Sequence, residues 1–155
     1  MFAPSLARAL RMIFLPALVL MIAFTGHALV SADTDFLNMN KTKPGVQVTA
    51  SGWQYRVLRE GSGRRPNAHE TVEVHYQGSL ITGKIFDSSY DRGKSISFAL
   101  NRVIAGWTEG LQLMKEGAKY ELVIPANLGY GVFGAGGSIP PNATLIFVVE
   151  LLKIQ

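Results

Sequence analysis

The chain has 155 residues, a formal net charge of +4 and 48% hydrophobic residues, which fits one globular domain with an appendage. It contains no cysteine, and this excludes disulfides, thiolate metal sites, a cysteine nucleophile and a cysteine-linked lipid anchor. The small positive charge does not indicate nucleic-acid binding, since no basic tract stands out beyond the pair Arg64 and Arg65.

The N-terminal segment has the pattern of a secretory signal peptide. Two arginines precede an apolar run over residues 12–24, and small residues that suit cleavage follow at Ala28 and Ala32. The alternative is a retained transmembrane anchor, but the run has 13 residues against the ~20 that span a bilayer. We therefore expect residues 1–32 to be a cleaved signal peptide and the remaining chain, with a formal charge of +2, to be periplasmic or secreted.

The segment that follows the predicted signal peptide is polar and has little regular pattern. Residues 33–52 contain several glycine, proline and lysine positions, so we predict an N-terminal tether that is too short for a long dimerising helix. A folded domain is then expected over residues 53–155. Its first strand is predicted at residues 53–58, with Trp53 on one face and Gln54 on the other.

Alternation of apolar and polar residues predicts most of the domain as strands. The clearest case is residues 71–78, where Val72, Val74 and Tyr76 alternate with polar residues, so one face is buried and the other is wet. Residues 89–94 are charged and contain a glycine, which indicates a loop or a bulge. The other predicted strands are 84–88, 95–100, 119–125 and 144–154.

One compact helix is predicted, over Val103–Met114. Apolar residues recur in it at spacings of three and four, and Gly117 follows as a helix stop. These apolar residues are Val103, Ile104, Trp107, Leu111 and Met114. Because a single short helix among strands must serve as their core, we expect a sheet to wrap around it, with the Trp107 indole exposed at one end of the contact.

Residues 126–142 are predicted to form a long loop, since they are rich in glycine and end on Pro140 and Pro141. Loops of this length in compact domains are usually functional or disordered. The aromatic residues Tyr130 and Phe133 argue against simple disorder. The loop is therefore expected to be functional.

The common catalytic motifs do not occur in the sequence. Beyond the predicted signal peptide two histidines remain, His69 and His75, which are too few for a histidine-rich metal site. His75 lies on an alternating strand and suits a structural role. No GxSxG elbow, phosphate loop or dinucleotide fingerprint is present, so hydrolysis, phosphoryl transfer and redox chemistry are unsupported. We expect no metal and no cofactor.

A group of aromatic and apolar residues with few polar neighbours is the remaining feature, and its plainest interpretation is an ordinary core. Asp87 does not fit that interpretation. A carboxylate that follows Phe86 in an apolar strand needs a partner, and the sequence offers Arg92 and the Tyr76 hydroxyl as the nearest candidates.

Several separated segments, in order along the chain, resemble the FKBP-type peptidyl-prolyl cis-trans isomerases. They are VHYQG at 74–78, FDSS at 86–89, VIAGWTEGL at 103–111, YG at 130–131 and IPPNATLIFVVELL at 139–152. Within the family the chain is most similar to the exported bacterial macrophage infectivity potentiator (Mip) branch, from about Val46 to Gln155. The resemblance implies an α+β fold, in which a twisted antiparallel sheet, or half-barrel, surrounds one short helix.

The resemblance also implies an apolar pocket that receives proline. Its substrate-binding residues would be Tyr76, Phe86, Phe98, Val103, Ile104, Trp107, Ile139 and Phe147. The catalytic residues would be Asp87, as a polar wall, and Tyr130. Three positions depart from other members: Ile96 replaces an aromatic residue, Ala135 a histidine and Ser138 a branched apolar residue. We expect these to alter substrate preference more than activity.

The function implied by the resemblance is acceleration of X-Pro bond rotation in exported proteins. The implied partners are proline-containing polypeptides and macrolide inhibitors such as tacrolimus and rapamycin. One alternative is a binding module, a chaperone or an adhesion surface, with turnover incidental; another is a structural domain with a vestigial pocket. Mip relatives often dimerise through an N-terminal helical segment. Because the predicted tether lacks one, we expect a monomer.

Overall fold

The computed structural model describes residues 23–155, so residues 1–22, which make up most of the predicted signal peptide, lie outside the described residues. Among the described residues, no helix is both long and apolar enough to cross a membrane. In chain order the helices and strands are α1 (Ala23–Asn40), β1 (Val46–Val48), β2 (Gln54–Arg59), β3 (Thr71–Leu80), β4 (Ile85–Ser88), β5 (Ile96–Ala99), α2 (Ala105–Leu113), β6 (Lys119–Ile124) and β7 (Leu145–Ile154).

The strands form one antiparallel sheet in the order β1-β2-β6-β7-β3-β4, and β5 also pairs with β3. One edge of β3 pairs with β7 along nearly its whole length. The opposite edge is shared, because β5 pairs with its first half and β4 with its second half. The sheet is twisted and not closed, and the predicted α+β fold is confirmed. Each predicted strand is present with ends that differ by one or two residues, and β1 is additional.

Helix α2 packs very closely on the sheet. Gly106 and Gly110 are buried on the helix face that meets β6. A Cβ at Gly106 would lie 2.6 Å from Cγ2 of Ile124, and one at Gly110 would lie 3.1 Å from Cδ1 of Leu122. Because both positions lack a side chain, the helix backbone can lie directly against the β6 side chains.

The prediction that Trp107 is exposed is wrong, since its residue exposure is 5%. Leu111 and Met114 are fully buried and pack in the core, as the helical spacing predicted. The helix begins later than predicted, at Ala105, and Ile104 is its N-cap. Trp107 is buried because the large indole is covered by the surrounding sheet, which the spacing of apolar residues does not reveal.

The irregular tether predicted at residues 33–52 is also wrong. Helix α1 continues to Asn40, and β1 pairs with β2, so the sheet begins at Val46. The monomer prediction rested on the lack of an N-terminal helix, and that premise fails within the described residues. The oligomeric state itself stays a prediction, which sedimentation of the protein tests.

Amide groups join the end of α1 to the sheet. Asn40 and Gln54 are each 3% exposed, and Nδ2 of Asn40 donates to Oε1 of Gln54 at 2.9 Å. Nε2 of Gln54 donates to the Leu37 carbonyl, also at 2.9 Å. The backbone N–H of Thr144, just before β7, donates to Oδ1 of Asp33 at 2.6 Å. The last turn of α1 is therefore joined to β2 at Gln54.

Candidate functional site

A cavity of about 750 Å³ opens between α2, the central strands and the long loop. It brings together all the site residues that the resemblance implied, as well as the three departing positions. The lining residues are Tyr76, Phe86, Asp87, Ile96, Phe98, Arg102, Val103, Ile104, Trp107, Tyr130, Ala135, Ser138, Ile139 and Phe147. Apolar cavities of this size with a few polar groups are typical of binding sites for small molecules and peptide segments.

Three aromatic rings fix the Trp107 indole in the cavity. The ring centroids of Tyr76 and Phe147 lie 5.2 and 5.1 Å from that of Trp107, both nearly perpendicular to it. The Phe98 ring lies 5.4 Å away at a tilt of 50°. Each such pair contributes about 0.5–1.5 kcal/mol beyond burial. The indole is therefore held rigidly, and its buried Nε1 has no hydrogen-bond partner among residues 23–155.

Gly78 of β3 allows two aromatic rings to approach the same point of the sheet. It pairs with Asp87 of β4 and Phe147 of β7. A Cβ at Gly78 would lie 2.6 Å from the Phe86 ring and 2.8 Å from the Phe147 ring. Only glycine leaves enough space for this pair, whose centroids are 5.5 Å apart and nearly perpendicular. The motif VHYQG thus helps to shape the apolar wall.

Asp87 is the carboxylate of the cavity wall, and both of its predicted partners are confirmed. The Tyr76 hydroxyl and Nη1 of Arg92 each donate to it, and Nη2 of Arg92 also lies 3.1 Å from the Tyr76 hydroxyl. The three side chains therefore form a closed hydrogen-bonded triangle. The carboxylate is held in place by one donor from strand β3, Tyr76, and one from the loop after β4, Arg92.

The same triangle sets the protonation states at the site. Partial burial alone would raise the pKa of the Asp87 carboxyl, but the hydrogen bonds from Tyr76 and Arg92, with the Arg92 charge, hold it below its ordinary value. Burial, and then the bond to Asp87, raises the pKa of Tyr76 above its ordinary value. At neutral pH the site therefore carries an ionised carboxylate and a neutral phenol.

Ser89 positions Tyr76 from the edge of β3, a role that sequence reasoning did not predict. It is fully buried, its hydroxyl accepts the Tyr76 backbone N–H at 2.8 Å, and its own N–H donates to the Tyr76 carbonyl at 2.9 Å. The Ser89 hydroxyl also lies 2.9 Å from Nδ1 of His75, and the imidazole stacks on Tyr90. His75 is thus a satisfied structural histidine, as predicted.

Two hydrogen-bond donors at the cavity have no partner within residues 23–155. They are the backbone N–H of Ile104 and the hydroxyl of Tyr130, whose residue exposure is 42%. The Ile104 carbonyl accepts from the first turn of α2, so the residue is held at the helix start while its N–H stays available. Both donors line the cavity and can hold carbonyl oxygens of a bound chain.

The loop over 126–142 has a defined structure. Ala135 and Ile139 exchange two backbone hydrogen bonds, of 3.0 and 3.1 Å. Gly134 has a φ of 64°, and a Cβ there would lie 2.2 Å from the Ile139 carbonyl oxygen. Only glycine fits this conformation, which brings the apolar Ile139 side chain into the cavity wall. The glycines thus serve the geometry of the site, as the prediction of a functional loop requires.

Arg102 is the lining residue that sequence reasoning missed. It ends a short 3₁₀ turn, Leu100–Arg102, immediately before the helix motif. Its side chain is exposed and lines the cavity. A lone exposed arginine has no periodicity and no motif of its own, so nothing in the sequence distinguished it from a solvated surface charge.

Two protein-family models match the chain in adjacent segments. Residues 62–152 match the model described as FKBP-type peptidyl-prolyl cis-trans isomerase. Residues 25–57 match the model described as the domain amino terminal to FKBP-type peptidyl-prolyl isomerase. The second match covers most of α1, all of β1 and most of β2.

Individual relatives agree with these matches. The isomerase FkpA of Aeromonas hydrophila is 52% identical over 121 residues, which are 78% of this chain and 45% of the relative. A protein named outer membrane protein MIP, of Legionella longbeachae, is 47% identical over 120 residues, which are 77% of this chain and 52% of the relative. The chain spans about half the length of the curated relatives it matches.

One solved structure supports the same assignment, and nearly the full length of that structure is covered. The peptidyl-prolyl cis-trans isomerase of Pseudomonas syringae superposes with a TM-score of 0.78 at 43% identity, covering 83% of this chain and 95% of that structure. Fold, motifs and sequence identity all lead to one assignment. The chain belongs to the FKBP-type peptidyl-prolyl cis-trans isomerase family.

Proposed function

We propose that this chain is a peptidyl-prolyl cis-trans isomerase that accelerates X-Pro bond rotation in exported proteins. The observation that carries the proposal is the cavity itself. Its rigid aromatic floor at Trp107 lies beside a carboxylate, Asp87, that two donors hold in place. The relatives are named as peptidyl-prolyl isomerases. This activity requires an apolar surface for the proline ring beside polar groups for the adjoining amides, and the cavity has both.

The reaction is a rotation and requires no nucleophile. Resonance gives the C–N bond partial double-bond character and a barrier of ~18–20 kcal/mol, and twisting destroys this resonance. The planar amide has the larger charge separation, so an apolar, water-poor cavity penalises it more than the twisted transition state. Lowering the barrier by ~5 kcal/mol accelerates the rotation a few thousandfold.

The lining residues divide into apolar and polar roles. We assign the proline ring to Trp107 and to the neighbouring Phe86, Val103 and Phe147. The free Ile104 N–H and Tyr130 hydroxyl hold substrate carbonyls on either side of the proline. These two contacts fix the chain while the bond between them turns.

Asp87 shapes the electrostatic field near the twisting amide. Its lowered pKa keeps it ionised, so it acts as a fixed negative charge and does not exchange protons with the substrate. Tyr76 and Arg92 keep the charge in one position throughout the rotation.

The proposal extends to inhibitors and to location. The family resemblance implies macrolide inhibitors such as tacrolimus and rapamycin, and we expect them to compete for the same cavity. Export rests on the signal-peptide pattern before residue 33 and on the similarity to a protein named for the outer membrane. Its clients are then proteins that fold after export, where slow X-Pro isomerisation limits folding.

A protease-free assay tests the proposal. NMR exchange spectroscopy on an Ala-Pro peptide, with the protein at about one hundredth of the peptide concentration, reports the cis-trans rate directly. The expected result is an accelerated exchange that returns to the uncatalysed rate when tacrolimus is added in excess. Unchanged exchange at that ratio would refute turnover and leave only binding.

A second candidate function, the holding of unfolded chains, is favoured by one observation. Phe133 and Val132 are 91% and 64% exposed at the tip of the loop whose other residues line the cavity. An exposed apolar pair beside a binding site can contact a longer chain that extends past the proline. Short peptides would not reach it, so it would serve only long clients.

The double variant Phe133→Ser and Val132→Thr separates the two candidates. Isomerisation of a short peptide should be retained, while suppression of the aggregation of an unfolded, proline-containing protein should be weakened. Met39→Ser, which removes an exposed apolar residue from α1, is the matched control. If aggregation is suppressed equally by all three proteins, the loop tip does not hold chains.

A further inference from the structure

A second depression adjoins the cavity on the β5 side. It is a groove of about 560 Å³ lined by Arg92, Lys94, Ser95, Ile96 and Ser97. Ile96 lines both the cavity and the groove, so the two form one continuous surface. The continuous surface is longer than a proline residue needs. A chain whose proline lies on Trp107 therefore has neighbouring residues that pass along its walls.

The unpaired charges on this surface are all of one sign. Arg102 on the cavity wall and Lys94 in the groove are exposed, and neither side chain has a hydrogen bond or ion pair within the described residues. Arg92, the third cation, is paired with Asp87. The two uncompensated charges that face a bound chain are therefore both positive.

No acidic side chain of the described residues forms an ion pair with Arg102 or Lys94. Among the described residues, Asp87 is the one carboxylate that lines the cavity or the groove, and it is ion-paired with Arg92. Glu73 lies next to the groove but not in its lining, and its Oε1 accepts the Ser95 hydroxyl at 2.6 Å. Asp91 is an exposed residue of the neighbouring loop and lines neither depression.

We propose that the cavity and groove select proline segments that carry an acidic residue near the proline, through Arg102 and Lys94. This inference rests on the proposed function, and it names the client chemistry. Under the proposed function the apolar floor receives a proline ring, so the client is a polypeptide. The two free cations favour a carboxylate beside it and disfavour an ammonium or guanidinium group.

The expected size of the preference follows from the exposure of the two cations. Exposed ion pairs contribute modestly, so each charge step from Lys to Gln to Glu in the client should change the rate by about two- to fivefold. The preference should also fall as salt is raised from ~0.02 to ~0.5 M, since exposed charges are screened within a Debye length. An apolar contact would show no such decline.

The test uses one set of peptides of equal length. Glu, Gln or Lys is placed in turn at the three positions before proline and at the two positions after it. NMR exchange spectroscopy gives each isomerisation rate, and shift changes in the same titration give each Kd. We expect Glu over Gln over Lys at one or more positions with the full chain, and equal values with Arg102→Gln/Lys94→Gln.

Matched variants isolate the two cations. Arg102→Lys should keep the preference, because the charge is retained. Lys41→Gln/Arg65→Gln removes the same number of charges from residues that line neither depression, and it should keep both the basal rate and the preference. Arg92 is left unchanged because it holds Asp87 in place.

The outcomes separate the inference from the function on which it rests. Turnover of the Gln peptides without a Glu-to-Lys difference at any position would overturn the inference and leave the isomerase intact. A preference that survives Arg102→Gln/Lys94→Gln would also overturn it. If no peptide is turned over, the proposed function fails, and the Kd values still decide whether acidic segments are preferred.

Discussion

The side-chain amide of Asn40 donates a 2.9 Å hydrogen bond to Oε1 of Gln54, although both residues are almost completely buried. The same Gln54 side chain donates to the Leu37 carbonyl. Polar groups that lose water must be hydrogen-bonded, and here the Gln54 oxygen accepts from Asn40 while the Gln54 nitrogen donates to Leu37. The contact fastens the last turn of α1 to β2, and it consists of hydrogen bonds more than of apolar packing.

Gln54→Leu should therefore destabilise the protein by about 1–3 kcal/mol, because the buried Asn40 amide loses its acceptor and the Leu37 carbonyl loses one of its two donors. Urea unfolding followed by circular dichroism measures the change. The double variant with Asn40→Leu should cost less than the sum of the two single variants. Lys41→Ala, an exposed change on the neighbouring residue, is the control. A Gln54 effect no larger than the control would show that the contact is not formed.

Asp87→Leu should lower kcat/KM about ten- to a hundredfold, since hydrogen bonds to charged groups contribute ~1.5–3 kcal/mol and each 1.4 kcal/mol is tenfold. The fold should be retained, because Asp87 lies on the wall of an open cavity. NMR exchange gives the rate and the amide spectrum reports the fold. Asp91→Asn, in the next loop and outside the cavity, should behave as the unaltered protein does. Unchanged kinetics in Asp87→Leu would refute the electrostatic role.

The isomerase rate should be constant between about pH 5 and 9, because Asp87 stays ionised and Tyr76 stays protonated throughout this range. The pKa of Asp87 is lowered, so the rate should fall only below about pH 4, as the pH drops through the folded-state pKa. Rates measured across this range, with the folded fraction recorded at each pH, check the profile. A transition near neutral pH would contradict this assignment of Asp87 and Tyr76.

The protein should lose stability at low pH as its paired carboxylates become protonated. A hydrogen bond from Arg59 lowers the pKa of Glu150, and one from Arg64 lowers that of Glu70. Burial opposes the same change at Asp87, but the contacts with Tyr76 and Arg92 outweigh it and lower its pKa. Stabilisation from a lowered pKa is present above the unfolded-state value and is lost as the pH falls through the folded-state value. The free energy of unfolding should therefore decrease below about pH 5. A urea midpoint that is constant down to pH 3 would contradict this.

Gly106→Ala should destabilise the protein by about 1–3 kcal/mol, because the added methyl group would collide with the Ile124 side chain. Alanine otherwise favours a helix over glycine by ~1 kcal/mol. In an Ile124→Ala background, where the colliding atoms are gone, the same change should be neutral or stabilising. Denaturant unfolding of the four proteins gives the coupling. Additive effects would show that the helix does not lie against β6 at this point.

Alternation and helical spacing predicted the strands and α2 because these elements bury one apolar face. Strand β3 is the plainest case, where Val72 and Val74 are fully buried and their neighbours are not. The end of α1 was not predicted because its contact with the sheet is made by Asn40 and Gln54. Polar residues such as these are normally expected to be exposed. The N-cap at Ile104 carries no capping side chain, so the start of α2 was placed too early.

The members of the site were predicted by similarity to a family, not by pattern. Asp87 alone was distinguishable from the residues themselves, since a carboxylate in an apolar strand requires donors. Ser89 and Arg102 were missed for opposite reasons. Ser89 is a small polar residue whose burial depends on the junction of β3 and β4, and Arg102 is an exposed charge that only the three-dimensional cavity connects to a bound chain.

The absence of a side chain in Gly106 affects the shape of the cavity as well as the packing of the helix. Trp107 is the next residue, so the height of the indole above the sheet depends on how closely the helix backbone approaches Ile124. Neither Gly106 nor Ile124 lines the cavity, yet both help to set the position of its floor. Substitutions at these two positions should consequently change the depth of the cavity without altering any lining residue.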